Sequence, residues 1–209
     1  MKGLQVLFDW TAKLAYLNIL WILFSILGLV FFGVGPATVS VFTVMRKLLG
    51  GESDVSIWKL FIKTYKQNFW HANGLMLVIV PICIFIYIDF RLIQMLPNSF
   101  LIDRIVFPGV IILSLLTIVS ISYLFAVYVH FDVSFFMNFK YALMIAGIYP
   151  LSTLLILFGL FVFSIVLLIF PVVSLFYLIS IPAVIILMCA NRAFVSISKY
   201  KKSTTLNNN

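Results

Sequence analysis

Residues Gly33–Lys47 read GVGPATVSVFTVMRK. They follow an apolar run, Leu14–Phe32, of about nineteen residues, close to the length that crosses a bilayer core as a helix. Two glycines and a proline interrupt that run, and apolar character then resumes until Arg46 and Lys47. Pro36 suits the first turn of a helix, where its missing N–H leaves nothing unpaired. A helix over Pro36–Leu49 would be about 21 Å long, short for a span. Gly50 and Gly51 supply its stop. The segment Gly33-Val34-Gly35-Pro36 is therefore expected to be a tight turn followed by a short returning helix. It lacks the lysine and third glycine of phosphate-binding loops.

Composition explains why a membrane is the frame. Of 209 residues 64% are apolar and 10% charged. Soluble domains are closer to half apolar and a quarter charged, and a chain of this size cannot hide the excess inside. Besides the short helix, five regions have the length and apolarity of spans: Leu14–Phe32, Asn73–Leu96, Asp103–Tyr128, Tyr141–Phe170 and Pro171–Arg192. Pro150 either kinks the fourth or marks its true beginning. The expected fold is an all-α, multi-pass transmembrane bundle of six helices, five full spans and one short helix, with a cytoplasmic amphipathic helix. It forms a single membrane domain over 1–202, followed by a disordered polar tail over 203–209. The N-terminal apolar run exceeds a cleavable signal core and is read as retained.

The net charge of +8 is concentrated in a few clusters between apolar runs. That distribution reads as a topology signal and as attraction to anionic lipid at the cytoplasmic face. It lacks the pattern of a nucleic-acid surface, so no nucleic acid partner is expected. If the short helix crosses, segments 1–13, 46–72, 129–140 and 192–209 carry 2, 5, 1 and 4 Lys or Arg, 12 in all, against 2 on the other side. Both termini are then cytoplasmic, in a cell membrane. If it does not cross, the N-terminus changes sides and the split is 10 to 4. The first is the cleaner positive-inside pattern, with five crossings the alternative.

After Gly51 comes ESDVSIWKLFIKTYKQNFWHAN. Asp54 is a plausible N-cap. Trp58, Phe61, Ile62, Tyr65 and Phe69 recur at spacings of three and four, with Lys59, Lys63 and Lys66 on the other side. This is an amphipathic helix with a basic face and an aromatic face, suited to an interface or to a protein groove. DVSIWKLF at Asp54–Phe61 is echoed by DVSFFMNF at Asp132–Phe139, which suggests a duplicated unit of one orientation. The flanking spans do not align at that offset.

Candidate chemistry is sparse. Asn18 lies in the first span, where an interhelical hydrogen bond is its ordinary role. Asp89, Arg91, Asp103, Arg104, Asn191 and Arg192 sit near span ends, where snorkelling is ordinary. Cys83 and Cys189 are expected to be free, buried and inert. Two histidines, His71 and His130, are too few for a zinc site. No nucleophile–base or metal constellation is visible, so no catalytic residue, cofactor or metal is expected and the chain is read as a non-enzyme.

LNILWILFS at Leu17–Ser25, taken with the stretch from Gly33 to Asn73, resembles the YesL-like bacterial integral membrane proteins, the domain of unknown function 624 family. The shared features are Asn18 and Trp21 in the first span, Gly35-Pro36-Ala37-Thr38, the Arg46-Lys47 pair, Asp54-Val55-Ser56, and Phe61, Phe69 and Ala72 in the aromatic stretch. The likeness is specific over the first third of the chain and diffuse afterwards. It implies a multi-pass protein of Gram-positive bacteria whose relatives accompany genes for sugar uptake and polysaccharide breakdown. A sugar importer or other membrane protein is the implied partner. The resemblance carries over no catalytic residue. Two functions compete: an accessory or regulatory component of carbohydrate uptake, and a small transporter of a sugar-related solute. Asn18 and the turn at Gly33, Gly35 and Pro36 would matter to the transporter, and Trp58, Lys59, Phe61, Lys63, Lys66 and Phe69 to the accessory protein.

Overall fold

A computed structural model describes residues 2–52, 55–95, 100–131, 134–191 and 194. The expected N-cap Asp54, the chain-end Arg192 and the tail 203–209 lie outside the described residues. The described elements are helical: α1 (Lys2–Leu27), α2 (Val34–Leu49), α3 (Ile57–Gln67), α4 (Phe69–Met95), α5 (Phe107–His130, entered through a π-turn at Ile102–Val106), α6 (Phe135–Ile148), α7 (Pro150–Ile169), α8 (Val172–Tyr177) and α9 (Ser180–Asn191). Among the described residues four stretches are long and apolar enough to cross a membrane: Leu4–Leu27, Phe69–Met95, Ile102–His130 and Pro150–Ile169. Large apolar side chains cover much of the surface of α4, α5 and α7, as lipid-facing helices require.

The turn between α1 and α2 falls earlier than expected. It occupies Gly28–Gly33, and Gly35 and Pro36 already lie in the first turn of α2. The chain reverses so tightly that an added Cβ at Gly28 would overlap the Gly33 backbone. Leu29 and Val30 take positive φ of 58° and 62°, an uncommon conformation for a leucine and a genuine outlier for a β-branched valine. Apolarity alone could not locate this turn, because Leu29 through Phe32 are as apolar as the helix before them. Pro36 does sit in the first helical turn, as its chemistry requires. Gly35 serves a different purpose from the expected one: it lets α2 approach α4, where an added Cβ would lie 3.0 Å from the Ala72 carbonyl oxygen.

The expected span Tyr141–Phe170 is two helices. α6 ends at Ile148, and Pro150 opens α7 because the residue before a proline is pushed out of helical geometry. The expected span Pro171–Arg192 is also interrupted, at Leu178–Ile179, between α8 and α9.

α2 is the central helix. Eleven of its sixteen residues are buried, and it packs against α1, α3, α4 and α5. Its last turns touch those of α5: the Phe42 and Phe125 rings lie 5.7 Å apart, and Arg46 donates to the Val129 carbonyl. α4 runs against α5, with the Tyr128 hydroxyl donating to Asn68 Oδ1 at 2.8 Å near one end and Ile82 and Thr117 lining a common recess farther along. Helix ends consequently gather at one end of the bundle. The C-terminal ends of α2 and α5, with Asn191 of α9, line one recess there, through Arg46, His130 and Asn191. The C-terminal end of α1 meets α3 and the start of α4.

Candidate functional site

Asn18 is fully buried, and its side-chain amide fills the break between α8 and α9. Its Nδ2 donates to the Leu175 carbonyl at 2.8 Å, with a longer 3.4 Å contact to the Ser174 carbonyl. Its Oδ1 accepts the Ile179 N–H at 2.9 Å. In an unbroken helix the Ile179 N–H would bond the Leu175 carbonyl directly. Asn18 is thus inserted into one rung of the ladder, a recognised cause of helix interruption. Open backbone at membrane depth needs such a partner, since lipid offers none. The sequence marked Asn18 as an interhelical hydrogen bond but gave no sign of what it bonds.

Trp21 lies one turn on. Its indole N–H donates to Thr38 Oγ1 at 3.0 Å, and that hydroxyl donates to the Val34 carbonyl at 2.7 Å. Trp21 and Thr38 thereby tie α1 to the start of α2, next to buried Gly33, Gly35 and Pro36.

The amphipathic helix α3 divides as its spacing predicts. Phe61 is fully buried, and Thr64 and Tyr65 are buried beside it. Lys59, Lys63 and Lys66 are exposed. The Phe24 ring lies 6.0, 5.3 and 5.0 Å from the rings of Trp58, Phe61 and Tyr65. The Tyr65 hydroxyl donates to the Phe24 carbonyl at 3.1 Å, a second bond to an acceptor near the end of α1 that already takes the Gly28 N–H. Burial pushes the Tyr65 hydroxyl pKa up from its ordinary value. Phe69 and the exposed Trp70 line a recess with Leu27, Leu29 and Phe32 of the α1–α2 turn. A crossing α2 would set the turn and the basic helix at opposite faces, yet α3, about 16 Å long, packs directly on the end of α1.

Arg46 and Lys47 stand at the end of α2. Arg46 donates to the Val129 carbonyl of α5, and Lys47 pairs with Glu52 at 3.0 Å on the protein surface. His130 stacks on Phe194, with centroids 4.5 Å apart, close to Arg46. Of the cysteines, Cys83 is exposed on α4 rather than buried, and Cys189 is partly buried.

These features define a class: an all-α, multi-pass membrane bundle with one interrupted helix and one basic amphipathic helix docked at its end. Within that class the chain belongs to the family described as "Protein of unknown function, DUF624", whose model matches residues 14–90. It is 36% identical over 159 residues to the Bacillus subtilis (strain 168) protein called "Uncharacterized protein YesL", covering 76% of this chain and 73% of the relative. It is 37% identical over 149 residues to "Uncharacterized protein YteU" of the same organism, covering 71% and 66%. It is 33% identical over 147 residues to "Uncharacterized protein YesV", covering 70% of each. No solved structure matches the chain.

Proposed function

We propose that the protein is a non-enzymatic accessory or regulatory component of carbohydrate uptake or utilisation in a bacterial cell membrane, with α3 as its contact surface. The observation carrying this reading is the fixed presentation of Lys59, Lys63 and Lys66. Their helix is anchored through Phe61 and Tyr65, so its basic face is held outward without further ordering. A pre-ordered face binds with less entropy loss than a flexible one. It suits anionic lipid headgroups or an acidic segment of an importer.

The same reading favours five crossings over six. α3 and the α1–α2 turn pack together, and a basic α3 belongs on the cytoplasmic side. The end of α1 then shares that side, α2 and α3 form an in-plane layer, and the N-terminus lies across the membrane from the C-terminus. The 10-to-4 division of Lys and Arg accords with this arrangement.

A transporter is the second reading, favoured by the interrupted α8–α9 helix held open by Asn18, since transporter sites are built on broken helices. Purified protein in liposomes with labelled oligosaccharides separates the two. The accessory reading predicts no uptake by the protein alone. It also predicts that a membrane partner co-purifies with the wild type and is lost on Lys59→Gln/Lys63→Gln/Lys66→Gln substitution. Saturable, substrate-specific uptake without a partner would overturn it.

A further inference from the structure

Beside the C-terminal ends of α2 and α5 and the Asn191 and Phe194 side of α9, a cavity of about 530 Å³ opens, within the range of small-molecule sites. Its polar wall is Arg46, Lys47, Glu52, His130 and Asn191. Three of these groups can carry positive charge and one is acidic. The acidic one is engaged, since Glu52 lies 3.0 Å from Lys47. Among the described residues no carboxylate comes within ion-pair distance of Arg46. The opposite wall is apolar, with Leu187 and Met188 from α9 and the ring of Phe194.

The C-terminal ends of α2 and α5 attract a cation by themselves, because unpaired carbonyls gather there. That accounts for one N–H of Arg46, the one donated to Val129. A guanidinium has five N–H donors, so most of this one's capacity is left over. Nor does it account for the open volume beside it, or for His130, whose ring is set on the cavity wall by stacking on nearly fully buried Phe194.

We propose that this cavity binds a phosphate-bearing ligand, with the phosphate at Arg46 and Lys47 and an apolar portion against Leu187 and Phe194. Arg46, held in place by the Val129 carbonyl, can offer two parallel N–H donors to two phosphate oxygens. A carboxylate commits both of its oxygens to that fork, each keeping one lone pair close to the guanidinium. A phosphate brings a further oxygen toward Lys47 or Asn191, so it reaches more of the wall than a carboxylate does. A lipid headgroup and a soluble phosphate compound share this chemistry. The inference does not depend on what α3 contacts.

The test is thermal unfolding of the full chain in a neutral detergent. Dihexanoyl phosphatidylglycerol and inorganic phosphate are titrated separately, with sodium chloride of equal ionic strength as the control. A midpoint rise with the lipid alone identifies a headgroup site, and a rise with both identifies a site open to soluble phosphates. Either result supports the proposal if Arg46→Gln raises the half-saturating concentration about tenfold or more, as loss of a charged hydrogen-bonding group should. Arg46 also supports α5, so a second variant is needed. Met188→Trp, at an exposed position on the rim, fills the cavity without changing charge and should abolish the shift. No rise beyond the chloride control, or an equal rise in wild type and Met188→Trp, would overturn the proposal.

Discussion

The segments α2–α3–α4 and α5–α6–α7 follow one plan. Each has a helix, a connector carrying Asp-Val-Ser, a short helix beginning after the serine, a break, and a long helix. Ser56 and Ser134 hold the N-cap positions of α3 and α6, both in extended conformation. The breaks are at Asn68 and Tyr149. α2 with α3, and α5 with α6, form the two most extensive helix pairings among the described residues. The spacing explains why a direct alignment of the sequence fails. Leu49 and His130, which end α2 and α5, are 81 positions apart, as are Phe69 and Pro150, which begin α4 and α7. The Asp-Val-Ser motifs are 78 apart. The second connector is three residues shorter and α6 is three longer than α3, 14 residues against 11, so the register is lost inside the unit and recovered after it.

What differs between the units is the environment each was fitted to. α2 has 16 residues and is largely buried, whereas α5 has 24 and exposes its N-terminal half. α3 carries three lysines and buries an aromatic edge, whereas α6 carries one lysine and buries Asn138. A similar helical plan serves as an end-of-bundle layer in one unit and as a lipid-facing pair in the other.

The largest expected effect comes from glycines. At Gly35 an added Cβ would meet Met76 Cγ at 2.9 Å and the Ala72 oxygen at 3.0 Å. Gly35→Leu should therefore destabilise the protein by about 3 kcal/mol or more, by overpacking against backbone. In the second unit nothing lies within 4 Å of a Cβ at Gly147. Gly147→Ala should be neutral or stabilising by up to about 1 kcal/mol. Thermal midpoints in mild detergent compare them, and equal losses would mean the two units are packed alike.

The lysines come next. Removing all three from α3 as glutamines should weaken binding to anionic vesicles by up to about 3 kcal/mol at low salt, at about 1 kcal/mol for each lysine near the surface. The difference should shrink as salt rises. Lys140→Gln in α6 should change binding by about 1 kcal/mol at most. Co-sedimentation across a salt series measures both, and a salt-independent loss would point to a protein-facing α3.

Smaller still is Tyr65→Phe. It removes the hydrogen bond to the Phe24 carbonyl and leaves that oxygen with its remaining partner, the Gly28 N–H. The expected loss is about 0.5–1.5 kcal/mol, read from the thermal midpoint. No loss would show that ring packing alone anchors α3.

Much of this was legible in the sequence. Apolar runs fixed the membrane class, and the spacing of Phe61, Tyr65 and the lysines fixed the two faces of α3. Pro150 announced the start of α7. The rest depended on backbone geometry that composition does not encode. Leu29–Phe32 reads as helix but turns, because Gly28 and Gly33 can approach closely. The α8–α9 break lies within an unremarkable apolar run, and its partner Asn18 is some 160 residues away in sequence. The Arg46–His130 cavity joins residues of three helices that no local pattern connects.

The central claim is that the α1–α2 turn and the basic helix α3 share one membrane face, so that α2 does not cross. Reporters active only outside or only inside the cell, fused ahead of Met1 and after Asn209, test it most directly. The account predicts an external N-terminal reporter and an internal C-terminal one. Both reporters on the cytoplasmic side would contradict it and make α2 a true sixth crossing.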